Sequence, residues 1–444
     1  TTSSGDSSGL ATVKAGSGAV TLNAAGAIVD DSDASTVVTG GVLTADAAGA
    51  ITIDSTVTSA DISTSAAGAI ALDETDGITL TDLDTTDGSI TVSAGGALTA
   101  TDVVAGGGTG DSVTLSTTTG GAVATLVTGA DAVSITADAG DITIGAVTAT
   151  AGTLGVTATT GSINDAADDS TADFTAVGLI TLTAQDEIGV LGSGTDTDLE
   201  FAASSSVNVS TTGTGAIDLD GLGALTLSDV DTANGAITVT SAGALTVTDV
   251  ASGTNGNISL TTSSGDITGL ATVNAGSGTV TLNSAGAIVD DSDASTVVTG
   301  GLLTADAAGA ITIDSTVASA DISTSAAGAI ALDETDGITL TDLDTTDGSI
   351  TVVAGGSIVA TAVDSADAGS DETHAVSLTA STGDMRSMRE TCAETAHAVD
   401  DALPAGMLRA LHDVQEREML QLAPDAGMVA RLSCVERKRG QSAP

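Results

Sequence analysis

"GAITVTSAGALTVTDV" at residues 235–250 carries the alternation from which the architecture follows. Ile237, Val239, Leu245 and Val247 alternate with Thr and other small residues. A period of two puts aliphatic side chains on one face of an extended strand and small polar ones on the other. Gly, Asn, Asp and Ser fill the gaps, where tight turns need positive φ or side-chain bonds to the backbone. The same unit recurs as "GAITI" at Gly49, "GAIAL" at Gly68, "GSITV" at Gly88, "GAIDL" at Gly215, "GNISL" at Gly256 and "GTVTL" at Gly278. From Gly49 through Gly88, and again from Gly215 through Gly278, one unit follows the last after about 20 residues.

A longer repeat encloses the short one. Residues 1–96 align without gaps to 261–356 with eight differences: Ser7/Ile267, Ser8/Thr268, Lys14/Asn274, Ala19/Thr279, Ala24/Ser284, Val42/Leu302, Thr58/Ala318 and Ser93/Val353. The duplication offset, 260, is thirteen units of 20, so the copy keeps the short register. Because the chain starts inside a repeat, it reads as a fragment or a processed product.

A unit of roughly 20 residues with two or three short strands suits a coil of a parallel β-solenoid, and a hairpin of an antiparallel sandwich is the alternative. The fixed period favours the solenoid. So do the small aliphatic residues and the absence of Trp and Tyr, since a sandwich of this size would carry an aromatic core. No helical period is visible before residue 385. One coil buries too few side chains to offset the ordering of its own backbone, so stability must come from stacking. The expected fold is all-β, a parallel β-solenoid over 1–384, with a distinct tail over 385–444.

Charge divides the chain at the same place. Residues 1–384 hold 50 of the 59 acidic residues and one of the nine basic ones, Lys14, a formal charge of −49 against −1 for the tail. All three prolines, all five methionines and both cysteines, Cys392 and Cys434, lie beyond 384. The tail reads as two or three short helices, with Met407, Leu411, Val414 and Leu422 on one face, or as a segment not native to the solenoid. Two cysteines there decide nothing about compartment. Cys392 and His397 fall short of a zinc site, which needs two more ligands. No apolar run approaches the roughly 20 residues of a membrane-spanning helix.

"GAITVTSAGALTVTDV", "GSITVSAGGALTATDV" and "GGVLTADAAGAITIDS" resemble the repeats of filamentous-haemagglutinin-type bacterial adhesins. The resemblance covers about 1–384. It implies a right-handed β-helix in an extracellular or bacterial cell-surface protein. It also implies attachment to a host or neighbouring-cell surface or to extracellular matrix. The family's N-terminal secretion domain is missing from this sequence.

Enzymatic motifs are sparse. "GDSSG" at 5–9 fits the G-x-S-x-G elbow, but its duplicate reads "GDITG" at 265–269 and no helix follows, so it is read as a turn. A β-helix enzyme acting on acidic polysaccharide is the enzymatic alternative. Such a surface would repel its substrate, and the expectation is a non-enzyme. Nucleic-acid binding is excluded by the lack of basic patches and stacking aromatics. Phe174 and Phe201 read as core fillers.

Calcium is the one cofactor left open, as in a calcium-dependent matrix or S-layer-like protein. Asp30, Asp31 and Asp33 lie in "VDDSDAS"; Asp73, Glu74 and Asp76 in "LDETDG"; Asp82, Asp84 and Asp87 in "TDLDTTDG". Their duplicates are Asp290, Asp291, Asp293, Asp333, Glu334, Asp336, Asp342, Asp344 and Asp347. Calcium takes six to eight hard oxygens, which Asp-rich turns supply. The spacing fits neither the EF-hand nor the calcium-roll repeat. Without metal these are solvated turns, since carboxylates about 5 Å apart repel by only roughly 0.8 kcal/mol in water.

Overall fold

Ile51, Ile70, Ile90, Val113, Val133, Leu154, Ile180 and Val207 are successive partners along one parallel ladder. All eight are buried. Each step from one partner to the next is one coil, and the chain is the parallel β-solenoid that its alternation predicts. The steps from Leu154 to Ile180 and from Ile180 to Val207 are longer than the strict repeat.

The structure is a computed structural model describing residues 1–31, 38–167, 169–189, 198–291, 298–365 and 374–386, with the backbone of 429–432. It divides into two compact units, Thr1–Asn257 and Ile258–Pro444. In the first, a second wall stacks Leu83, Val103, Val127, Val147, Phe174 and Phe201. The two Phe rings lie 5.4 Å apart at 28° and are fully buried, so both are core fillers. In the second, Ile311, Ile330, Ile350 and Val376 repeat the pattern, again one coil per step.

Two devices explain the recurrent glycine. A methyl group on Gly235 would collide with the carbonyl of Gly215, and one on Gly88 with that of Gly68, so backbones pass too closely for any side chain. Just before many of these glycines a Thr or Ser turns inward and donates its hydroxyl to the glycine carbonyl. Thr232 bonds Gly235 at 2.9 Å, Ser252 bonds Gly256 at 2.6 Å and Thr345 bonds Gly348 at 2.8 Å. The corner therefore satisfies a carbonyl that no ladder reaches.

Among the described residues there is no helix, and none long and apolar enough to cross a membrane. "GDSSG", read as a turn, bends only at Gly5; Ser7, Ser8 and Gly9 lie in the strand Ser7–Leu10, with Gly5 and Gly9 at positive φ. Of the tail, the backbone of Val429–Leu432 runs antiparallel to Val376–Ala380. Cys392, Cys434, His397, Met407, Leu411, Val414 and Leu422 lie outside the described residues.

Candidate functional site

Alternation sends every second side chain outward, and parallel register stacks those outward residues into columns. In the first unit Asn23, Asp46, Ser63 and Asp84 are successive partners. The second repeats the column as Asn283, Asp306, Ser323, Asp344 and Asp364. Ser63 donates to Asp46 Oδ1 at 2.8 Å, which orders the column. A shallow groove lined by Asn, Asp, Ser, Thr and Ala runs along it in each unit. That in the second, about 270 Å3, is lined by Thr262, Asn283, Asp306, Ser323 and Ser325.

Beside this column lie Asp61 and Asp82, paired in register, and their counterparts Asp321 and Asp342. Partial loss of water raises the pKa of Asp84, and Asp82, Asp102 and Asp61 raise it further by charge, with a hydrogen bond that the protonated Asp84 donates to Asp82. Asp344 is raised the same way, by desolvation and then by Asp342, Asp364, Asp321 and Asp306. A related patch carries Asp229, Asp231 and Asp249, where desolvation and then Asp229 push Asp231 up to about 6. Of the sequence candidates, Asp82, Asp84, Asp342 and Asp344 thus enter carboxylate clusters. Asp46, Asp61, Asp102, Asp306, Asp321 and Asp364 join them unforeseen. One-coil spacing was the available signal, since Asp61, Asp82 and Asp102 follow one another at the interval of the short repeat.

The other candidates do not converge with these. Asp73 stacks on Asp54, and Asp333 on Asp314, in a different ladder. Glu74 and Glu334 turn into the core, each 1% exposed. Glu74 accepts from Ser55 Oγ at 2.5 Å, from the Val57 N–H at 3.0 Å and from the Asp76 N–H at 3.2 Å. Glu334 repeats these bonds with Ser315, Val317 and Asp336. Burial raises the pKa of Glu334, and those bonds pull it back. Asp76 and Asp336 are exposed at the turns that follow. Asp30 and Asp290 are buried against Leu10 and Leu270, with Asp31 and Asp291 exposed beside them. Asp87 and Asp347 sit at strand ends, and Asp347 Oδ1 lies 2.6 Å from His374 Nε2. Asp33 and Asp293 lie outside the described residues.

A further carboxyl cluster, of buried groups, was not foreseen. Oxygen atoms of Asp165, Asp173 and Glu200 lie within 4.8 Å of one another. Asp173 and Glu200 are 3% and 0% exposed. Their signature is an acid directly before each of the two phenylalanines, one coil apart.

Chemically, the outward clusters offer hard oxygens on consecutive coils, suited to divalent cations or to basic groups. His374 is the single histidine among the described residues, and Asp347 occupies it. No protein-family profile matches the chain, and neither a curated protein nor a solved structure matches it.

Proposed function

We propose that this chain is a structural and adhesive element of a large exported bacterial surface protein, presenting acidic faces to a cell surface or extracellular matrix. The supporting observation is the outward Asn–Asp–Ser–Asp column, built at the same register in both units. Repeated identical faces give multivalent attachment, in which weak single contacts add through high effective concentration. The test is retention of cells and matrix components on the immobilised chain, against a variant carrying D82N, D84N, D342N and D344N. Retention that falls at least tenfold in the variant supports the reading. No retention of any cell or matrix component by the unaltered chain overturns it.

A second reading is supported by Asp61, Asp82, Asp84 and Asp102, which surround one another across consecutive coils. Calcium bound there would bridge the coils, as in a calcium-dependent matrix protein. The melting temperature is then higher in millimolar calcium than in chelator, and equal temperatures remove this reading.

A further inference from the structure

The ladder that stacks Phe174 on Phe201 also fixes Asp173 against Glu200. Asp173 donates its N–H to the Glu200 carbonyl at 3.0 Å, and the Glu200 N–H donates to Asp173 Oδ2 at 3.0 Å. Backbone register therefore places the two side chains beside each other on consecutive coils. Both are buried, and two ionised carboxylates in such contact repel strongly where water is excluded.

The groups facing the pair are acidic. Asp165 and Asp169 come from the segment leading to Asp173, and Asp198 precedes Glu200 by two positions. On the following coil Asp220 is the register partner of Glu200, with Asp218 beside it. On the preceding coil the chain beside Val147 presents Ala146, which carries no charge. The one basic side chain of residues 1–257 is Lys14, in a strand paired with Val38–Thr39. A proton is the remaining way for the chain itself to relieve the repulsion.

We propose that Asp173 and Glu200 share a proton at neutral pH, and that this carboxyl pair is a clasp between consecutive coils which alkaline pH opens. Burial first, and then the hydrogen bond with Glu200, hold the Asp173 carboxyl well above the ordinary carboxylate range. Loss of the shared proton to solvent leaves two buried charges, and the contact between the two coils then separates at this point. The ladder bonds elsewhere do not depend on that proton.

The chain supplies its own probe. With no Trp or Tyr and only two Phe, its phenylalanine emission reports the ring pair adjoining the clasp. The experiment is a titration of the unaltered chain from pH 6 to pH 11, following that emission and, in parallel, far-ultraviolet circular dichroism. Expected is a one-proton step in emission with its midpoint above about pH 7, while the strand signal stays constant. D173N, and separately E200Q, removes the step. Constant emission across the range overturns the proposal, as does a step that survives in both variants. So does an emission change at pH 7 on adding chelator, which would place a divalent cation where the proton is inferred. Should either variant fail to fold, the titration of the unaltered chain still decides.

Discussion

Glu74 shows how much one position depends on parity. In the strand Ile70–Glu74, Ile70, Leu72 and Glu74 share a face, so the alternation that buries two aliphatic side chains buries the glutamate with them. The sequence reading grouped Glu74 with Asp73 and Asp76 because they are adjacent, and adjacency is the wrong measure in a strand. Its carboxylate is retained inside because it gathers donors from a corner where the ladder supplies no acceptor. E74A leaves the Val57 N–H and the Ser55 hydroxyl without that acceptor, at an expected cost of about 2–4 kcal/mol in chemical denaturation. E74Q keeps one acceptor oxygen and should cost less. Equal stability of E74A and the unaltered chain would show that the buried bonds contribute nothing.

At the scale of the coil, backbone proximity is the controlling quantity. Gly235 lies against Gly215, whereas Gly155, inside the strand Leu154–Ala158, has no atom within 4 Å of the place a methyl would occupy. G235A is expected to destabilise by about 1–3 kcal/mol through overpacking. G155A is expected to be neutral, or to stabilise by roughly 0.4–1 kcal/mol by restricting the unfolded chain. Denaturation midpoints of the two variants check both, and a reversed order would refute the close-approach account. The repeating glycine and the aliphatic alternation made the coil legible in the sequence. The Thr and Ser hydroxyls at the corners were not, because their partner is a carbonyl that no residue type announces. The Asp165–Asp173–Glu200 cluster escaped for a related reason: Asp173 and Glu200 are joined by a long coil that breaks the short period. The carboxylate columns were half visible, as "TDLDTTDG" names the members on one coil and says nothing of those above and below.

For the molecule as a whole, charge works in one direction. Nearly every shifted carboxyl is raised, with Asp218 and Asp231 each reaching about 6 through desolvation and then neighbouring carboxylates. Asp169, lowered by bonds from Thr171, is the exception among the described residues. A carboxyl group with a raised folded pKa binds its proton more tightly folded than unfolded. Its stabilising contribution is complete below about pH 4 and fades as pH rises through the folded value. Repulsion within a formal charge of −50 relaxes in the same sense on acidification. The melting temperature should therefore rise as pH falls from about 7.5 to about 5, where most proteins begin to lose stability. A fall over that interval would contradict the upward shifts.

Ladder partners in the first unit's Ile51–Val207 wall are each a single coil apart along the chain. Contacts of such short reach impose little loop-closure delay, and neighbouring coils can zip onto any nucleus already formed. Opening in that unit accordingly spreads from coil to coil, and amide exchange should vary along the coils as a graded profile instead of switching off all at once.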